Sequence, residues 1–331
     1  MKVNKYSYIV IILFLYNYGI ACNMLAVIAT GDSIIISTDP TVNDDFALIL
    51  DEFRDQGGGF DDGWSMLYYN DIIIPASEQI ARSAVSTQQS PALYDSIMAE
   101  INNVQNSARQ ILGHLRIATS GALEIPNPHP FLMDLNGRTF SFIHNGTLSK
   151  AELLALLTDN GSDYAWLDLY PPNSYGNGDW ETTGWDYVVD SELLFLWIMK
   201  NIVDSNYDII NGLQQSLNLL AAVINSPFQK NFIFSDGTNL YLHGSENALF
   251  YSTGANYDDS NINYPRYVMS EYPSNGTADA LEWQSIPENS IVKISPDAIE
   301  NYFLPTVSPD NENQPVSISL LPNYPNPFNS S

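Results

Sequence analysis

The single cysteine of this 331-residue chain, Cys22, stands directly after a segment built like a secretory signal. Two lysines precede an apolar run at 9–15 that is too short to span a bilayer, and Gly19 and Ala21 are small residues suited to a cleavage site. We expect cleavage after Ala21, so that Cys22 begins the mature chain. A lone cysteine forms no disulfide within its own chain, so the fold must be stabilised by core packing instead.

Other interpretations of the same segment stay open. The apolar run could be a buried strand or a membrane anchor. A lipoprotein signal would also be cut before Cys22, although such signals normally carry Leu where Gly19 stands. Lipidation would convert the sulfur to a thioether and abolish a thiol nucleophile. The lipidated and catalytic alternatives therefore exclude each other.

A cysteine at a new N-terminus combines two catalytic groups in one residue. Its α-amine has an unperturbed pKa of about 7.7–8.0, so a useful neutral fraction exists at mild pH. The amine can take the thiol proton, directly or through a water, and later return it to a leaving amine. Activation would be coupled to export, because the uncut chain has an amide at this position.

The charge balance excludes one class of partner. The chain carries 38 acidic residues against 12 lysines and arginines, a formal net charge of −26. Such a surface repels phosphate backbones and anionic lipids, so we expect no nucleic-acid binding. Solubility in a salty medium is the simplest reason for the excess. With 45% hydrophobic residues, the chain has enough apolar material for a packed core.

The hydrophobic pattern predicts strands, then helices, then strands again, which is typical of a layered α+β domain. We expect a signal peptide at 1–21, one domain at 22–303, and a Pro- and Asn-rich linker and tail at 304–331. Residues 57–64 read as a flexible loop, and 159–189 as a long irregular loop of a functional or mobile kind. Strands are predicted at 24–29, 34–37, 65–69, 231–235, 239–243, 248–252, 267–270 and 291–294, and helices at 41–54, 91–111, 149–158, 190–202 and 207–224.

Four separated segments carry chemistry-bearing residues. They are Cys22 itself; Gly-His-Leu-Arg-Ile-Ala-Thr at 113–119; Asn-Pro-His-Pro at 127–130 with His-Asn-Gly at 144–146; and Asp-Ser-Glu at 190–192. Together, in this order, they resemble the glutaminase domain of class II glutamine amidotransferases, especially the stand-alone bacterial members. The resemblance covers about 22–295 and implies the four-layer sandwich of N-terminal-nucleophile hydrolases, with two antiparallel sheets between helical layers.

The resemblance implies roles for the substrate-binding residues. Arg116 would bind the α-carboxylate of glutamine through a forked pair of donors, and Asp190 would bind the α-ammonium. Thr119 and His129 would line the pocket. On the residues alone, Arg116 could form a surface salt bridge and Asp190 could be a helix N-cap.

The resemblance also assigns the oxyanion hole. The Asn145 side-chain amide and the Gly146 backbone N–H would stabilise negative charge on the substrate oxygen after attack by Cys22. An Asn-Gly pair after a strand is equally typical of a hairpin turn. The histidines at 114, 129 and 144 lie in separate segments without a close ligand pair, so we favour structural hydrogen bonding over metal binding. We expect no metal and no cofactor.

Two positions depart from the family pattern. Asn23 stands where Arg usually follows the cysteine, and Ser65 where Gly usually stands; the loop at 159–189 also reads as an insertion. These departures concern substrate identity. Residues after 300 carry no phosphate-binding glycine loop and are too few for a synthetase domain, so we expect hydrolysis of glutamine or a γ-glutamyl amide. An acylase on another amide, and a catalytically silent surface binding module, stay open.

The last residues carry a second resemblance. Leu-Leu-Pro-Asn-Tyr-Pro-Asn-Pro-Phe-Asn at 320–329 is similar to the opening of C-terminal sorting domains of the type IX secretion route. Such domains normally continue through further strands, so we expect a longer natural chain. The resemblance implies type IX export machinery as a partner and a location at the cell surface or in the medium. A disordered Pro/Asn tail is the alternative. The oligomeric state has no signal in the sequence.

Overall fold

The protein is represented by a computed structural model that describes residues 22–70, 79–118, 121, 123, 127, 129–174, 178–223, 230–244, 249–255, 263–271 and 281–304. The expected signal segment, Thr119 and the tail from 305 lie outside these residues, so the predictions made for them stay predictions. No helix within the described ranges is long and apolar enough to cross a membrane.

Helices and strands alternate in the order expected of an α+β domain. The helices are α1 (Pro40–Gln56), α2 (Pro91–Ile101), α3 (Lys150–Leu157), α4 (Ala165–Leu169), α5 (Asp190–Asp204) and α6 (Ile209–Val223). The strands are β1 (Asn23–Ile28), β2 (Trp64–Tyr69), β3 (Ile80–Ser83), β4 (Gln110–Leu115), β5 (Phe131–Leu135), β6 (Arg138–Asn145), β7 (Asn231–Ser235), β8 (Leu240–His243), β9 (Phe250–Ala255), β10 (Arg266–Met269), β11 (Leu281–Ser285), β12 (Ser290–Ile294) and β13 (Ile299–Phe303).

The strands form two sheets. In one sheet the order is β11-β9-β10-β1-β4-β2-β3, and in the other it is β13-β12-β8-β7-β6-β5. The pairings recorded within both sheets are antiparallel. β1 lies inside the first sheet between β10 and β4, and β6 lies inside the second between β5 and β7. Cys22 directly precedes β1 and Asn145 ends β6. Both strands therefore have a neighbour on each side.

Three hydrophobic clusters show that the sheets are stacked between helical layers. The middle cluster joins inward-facing residues of both sheets, such as Ala26 of β1 and Ile233 of β7. The outer face of the first sheet packs against α1 and α2, and the outer face of the second packs against α3, α5 and α6. This is the predicted αββα sandwich. It arises because alternate residues of each strand face opposite sides, and both sides of these sheets are apolar.

Two of the predicted elements are wrong. Residues 34–37 are not a strand: Ser37 is held by the Asn43 side chain in both directions, at 2.8 Å each, which turns the chain into α1. The helix predicted to reach 111 ends at Ile101, and β4 begins at Gln110. Between them Ser107 adopts a left-handed backbone, φ 50°, which breaks helical continuity.

The predicted irregular segments are more ordered than expected. Residues 57–59 form a short 3-10 turn instead of a flexible loop, and the 159–189 segment contains α4 and a 3-10 turn at Trp185–Tyr187. The predicted cap of α3 is confirmed, because Ser149 Oγ accepts the Glu152 N–H at 3.3 Å.

The close approach of α5 and α6 generates a prediction about Gly212. A Cβ added at this position would lie 2.5 Å from the Ile202 Cα, which is backbone and cannot rotate away. We expect Gly212→Ala to lower the free energy of unfolding by about 2 kcal/mol, since overpacking outweighs the helix preference of Ala. Urea titration measures the change. Gly59→Ala is the matched control, because an added Cβ there meets nothing within 4 Å; equal losses in both variants would contradict the packing argument.

Candidate active site

Cys22 is placed by the ladder between β1 and β4. Asn23 is paired with Leu115, the last residue of β4, so Cys22 lies beside the residues that follow β4. The Sγ atom donates to the Ile117 carbonyl at 3.3 Å and accepts the Ile117 N–H at 3.2 Å. The half-buried nucleophile candidate is thus held against the peptide group directly after Arg116.

Opposing effects act on the thiol. Burial raises the pKa of the Cys22 thiol above its ordinary value, while the Ile117 backbone hydrogen bond and the positive charge of Arg116 lower it; burial is the largest of these. The thiol therefore stays protonated at neutral pH in this environment. A base has to take its proton before the sulfur can attack.

The segment that carries Arg116 is fixed on both sides. The Arg116 N–H donates to the Gly63 carbonyl at 2.8 Å, and the Ala118 N–H donates to Asp62 Oδ2 at 2.7 Å. The Arg116 side chain is buried, 4% exposed, and lines the same pocket as Cys22. This burial contradicts the surface salt-bridge alternative for Arg116.

Asp190 is the first residue of α5 and is not its N-cap. The N-cap position is Val189, which has no capping side chain, so the N-cap alternative for Asp190 is wrong. Asp190 Oδ2 instead accepts the Leu148 N–H at 2.7 Å and the residue lines the pocket. Asp190 is therefore bound to the segment that follows Asn145 and Gly146, which joins two parts of the candidate site.

Asn145 is the last residue of β6, and Gly146 follows it. The Asn145 Nδ2 donates to the Cys22 carbonyl oxygen. Gly146 has φ 156°, and the chain continues into α3, so the hairpin alternative for this pair is wrong. The β5–β6 hairpin turn lies instead at Asn136 and Gly137, whose φ values of 52° and 74° suit a tight two-residue turn.

Three buried histidines line this pocket. The His129 Nδ1 accepts the His144 N–H at 3.2 Å, and the His144 Nδ1 lies 2.8 Å from Ser191 Oγ. The rings of His114 and His129 are 4.1 Å apart between centroids. Burial, together with the positive charge of Arg116, lowers the pKa of His114 to about 3, and burial is the largest cause of the pKa of His129 lying well below 6.5. Both rings are neutral at physiological pH.

The structure brings most of the predicted site residues into one pocket. Its described walls enclose about 20 Å³, roughly the room that one water molecule needs. The space between these described residues is therefore large enough for a small polar group. Within the described ranges, no three His, Cys, Asp or Glu side chains are arranged to hold a metal ion. The lining residues are Cys22, His114, Arg116, Ile117, Ala118, His129, His144, Gly146, Val189, Asp190 and Ser191.

Asn23 and Ser65, the two positions that depart from the family pattern, lie outside the described pocket lining. The Asn23 side chain donates to Gln56 Oε1 at 3.1 Å and to Glu271 Oε2 at 2.7 Å, on the helix-facing side of β1. Ser65 is fully buried and paired with His114 in the adjacent strand. Neither position is among the described pocket-lining residues.

The segment at 159–189, the insertion predicted from the sequence, contacts α3 and α5. Lys150 Nζ donates to the carbonyl oxygens of Trp185 and Val188 at 2.7 and 3.1 Å and lies 4.9 Å from the Trp185 ring centroid. Asn173 donates to Glu192 through its backbone N–H at 3.1 Å and its side chain at 2.6 Å. The insertion is therefore fastened next to Asp190.

Sequence reasoning missed the contacts made by Ile117, Asp62 and Ser191. Ile117 contributes only backbone atoms, which leave no signature in residue type. Asp62 lies in the predicted loop at 57–64 and Ser191 in the Asp-Ser-Glu segment, but their partners, Ala118 and His144, are distant in sequence. Their roles follow from the tertiary arrangement.

Part of the chain matches a known family. Residues 37–162 match the family model for class-II glutamine amidotransferases. That span contains Arg116, His129, Asn145 and Gly146, while Cys22 and Asp190 lie outside it. An uncharacterized protein of Methanocaldococcus jannaschii is 23% identical over 149 residues, which is 43% of this chain and 39% of that protein. The match thus spans about two fifths of the length of this relative.

Solved structures share the architecture. A glutamine aminotransferase class-II domain protein from Silicibacter pomeroyi is 17% identical, with a TM-score of 0.48, over 86% of this chain and all of that chain. The allosteric regulatory enzyme of purine biosynthesis is 14% identical, with a TM-score of 0.50, over 86% of this chain and 49% of that chain. At such identities the likeness concerns the fold alone, which has two antiparallel sheets with helices packed on their outer faces.

The neutral histidines predict loss of stability in acid. The pKa of His114 is about 3 in the folded protein and about 6.5 in the unfolded chain. Below pH 6.5 the unfolded chain therefore binds a proton that the folded one does not, and His114 alone removes about 1.4 kcal/mol of stability per pH unit down to about pH 4.

Urea unfolding at pH 7, 6, 5 and 4 measures this dependence. His114→Phe removes the titrating ring while keeping its bulk, so we expect a shallower slope by about that amount per pH unit. Leu219→Ala, at an exposed position of α6 without a titratable group, is the control and keeps the full slope. A slope unchanged in His114→Phe would show that His114 is not held neutral.

Proposed function

We propose that the protein is an N-terminal-nucleophile amidohydrolase that cleaves glutamine, or a γ-glutamyl amide, through a thioester on Cys22. The observation that carries this proposal is the shared pocket of Cys22, Arg116, Gly146 and Asp190, which come from separate segments of the chain. The match of residues 37–162 to class-II glutamine amidotransferases supports the same reaction class.

The substrate-binding part follows from charge complementarity. A free amino acid presents a carboxylate and an ammonium group at one end. In the proposal the buried guanidinium of Arg116 binds the carboxylate through two donors, and Asp190 binds the ammonium through its carboxylate. The Leu148 N–H donates to Asp190 Oδ2 at 2.7 Å, which fixes the position of this carboxylate in the pocket.

The proposed chemical steps use Cys22, which precedes β1, and Asn145 and Gly146, which lie where β6 ends. The Cys22 thiol gives its proton to the α-amine of the same residue, and the sulfur attacks the amide carbon. The oxyanion is stabilised by Asn145 Nδ2 and the Gly146 N–H. The C–N bond then breaks, the proton passes to the leaving nitrogen, and ammonia or an amine departs. Water attacks the thioester, which releases a carboxylate and restores the thiol.

The raised pKa of the thiol explains why this mechanism needs the α-amine. Burial disfavours the thiolate, so the proton must be transferred to a nearby base as the sulfur attacks. In the proposal, removal of residues 1–21 by the export machinery liberates that base. Type IX secretion to the cell surface or medium is the proposed route, supported by the residues at 320–329.

Mass spectrometry of the exported protein tests the nucleophile. We expect the mature N-terminus at Cys22, and one adduct on that residue after treatment with diazo-oxo-norleucine, a glutamine-like electrophile. Cys22→Ala keeps a small residue after the cleavage site but removes the sulfur, so it should be cut normally and take no adduct. A blocked or lipidated Cys22, or a start at another residue, would falsify the proposal.

Steady-state kinetics of Arg116→Lys test the carboxylate site. Lysine keeps the charge but loses the forked donor pair, so we expect KM for glutamine to rise by about tenfold to a hundredfold. Arg54→Lys is the matched control, because Arg54 pairs with Asp95 at 3.0 Å on the protein surface; its KM should stay unchanged. An unaffected KM in Arg116→Lys would remove Arg116 from the substrate site.

A related acylase activity on another amide is the second candidate. The insertion next to Asp190 favours considering it, because Asn173 and Lys150 hold that segment against α5 where it could reshape the outer pocket. Rates on glutamine, γ-glutamyl amides and acyl-amino acids separate the two. Preference for a substrate without the α-ammonium would favour the acylase, and no thiol-dependent turnover at all would favour a silent binding module.

A further inference from the structure

The first turn of α5 joins three separate segments through three consecutive side chains. Asp190 accepts the Leu148 N–H at 2.7 Å. Ser191 Oγ lies 2.8 Å from the His144 Nδ1. Glu192 accepts both donors of Asn173. The turn therefore contacts the segment after the oxyanion pair, strand β6 and the insertion at once.

His144 is held from its backbone as well as its ring. Its N–H donates to His129 Nδ1 at 3.2 Å. A backbone N–H can only donate, so His129 Nδ1 must be an unprotonated acceptor and the His129 ring must carry its proton on Nε2. The ring of His129 packs in turn on His114, at 4.1 Å between centroids. His114 lies two residues before Arg116.

The ring of His144 faces α5 within a buried environment. His144 is 1% exposed and Ser191 4% exposed, so their hydrogen bond is shielded from water and is stronger than a surface bond of the same length. His144 directly precedes Asn145, and Ser191 directly follows Asp190. Their contact therefore spans the gap between the proposed oxyanion donor and the proposed ammonium acceptor.

We propose that His144 and Ser191 are a positioning pair that sets the place of Asp190 relative to Asn145. This inference rests on the proposed function, since it concerns how that site holds the substrate ammonium. The Leu148–Asp190 bond also joins the first turn of α5 to the segment after β6, but it uses the proposed substrate-binding carboxylate itself, whereas the His144–Ser191 bond does not. A shift of about 1 Å in a binding group is enough to change rates by about a hundredfold.

Ser191→Ala removes the hydroxyl and tests the pair. We expect KM for glutamine to rise about tenfold, with kcat per diazo-oxo-norleucine-titratable site within about threefold of the unmodified protein, because an ammonium contact stabilises bound substrate and transition state alike. Ser191→Thr retains a hydroxyl and should restore most of the loss. Ser216→Ala is the control: it removes another buried hydroxyl, bonded to the Leu213 carbonyl in α6, and should leave KM unchanged.

A substrate without the α-amino group isolates the effect on Asp190. Glutaramate keeps the amide and the carboxylate of glutamine but has no ammonium. We expect kcat/KM for glutaramate to be equal in the unmodified protein and in Ser191→Ala, although both values are low. A loss of the same size on both substrates would overturn the proposal, since it would indicate general damage to the site.

The geometry of His144 supplies an independent test. The side-chain amide of Asn can stand where the imidazole Nδ1 lies, whereas that of Gln reaches toward the Nε2 position. His144→Asn should therefore keep the bond to Ser191 and a KM near that of the unmodified protein, and His144→Gln should resemble Ser191→Ala. Equal KM values for the Asn and Gln variants would overturn the pairing.

Failure of the proposed function and failure of the positioning role would give different results. If the unmodified protein takes no diazo-oxo-norleucine on Cys22 and does not hydrolyse glutamine, the proposed function fails. If it is active and Ser191→Ala has an unchanged KM for glutamine, the function stands and the positioning role is wrong. Thermal unfolding of each variant accounts separately for losses that come from stability.

Discussion

The antiparallel ladder between β1 and β4 is the constraint on which the candidate site depends. It fixes Asn23 opposite Leu115, and thereby places the sulfur of Cys22 against the peptide of Ile117. β10 pairs with β1 on its other side, and both faces of β1 are packed in apolar clusters. The position of the nucleophile is thus set by residues after Cys22. In the proposed mechanism, loss of the preceding segment frees an amine without disturbing the strand that carries it.

Burial determines the protonation states of the site residues as well as the shape of the site. His114 and His129 are neutral because charged rings would be unfavourable at these buried positions, and Arg116 is a buried cation that lines the same pocket. The same low polarity raises the pKa of the Cys22 thiol. Burial therefore favours the protonated thiol despite the opposing charge of Arg116, and in the proposed mechanism the need for an adjacent base follows from this packing.

The long elements were predictable because their periodicity and caps are local. α1, α3 and α5 were expected near their observed bounds, and the motif segments led to residues that the fold places in one pocket. Local signals failed where a distant contact decides. Residues 34–37 look like a strand but are turned by Asn43, and Asp190 looks like an N-cap but binds the Leu148 N–H. The link from Ser191 to His144 spans 47 positions, and residue types alone cannot reveal it.

The acidic surface is consistent with the proposed substrate. A chain with a net charge of −26 repels anions over a Debye length of about 8–10 Å at physiological salt. Glutamine is a zwitterion without net charge, so the negative field does not oppose its approach. In the proposal, its carboxylate and its ammonium group are bound separately inside the pocket, by Arg116 and by Asp190. Hydrolysis of its side-chain amide yields glutamate, which has one net negative charge. In the proposed reaction the field would therefore leave entry of glutamine unopposed and favour departure of glutamate, so that the charge balance would act on exchange at the site as well as on solubility.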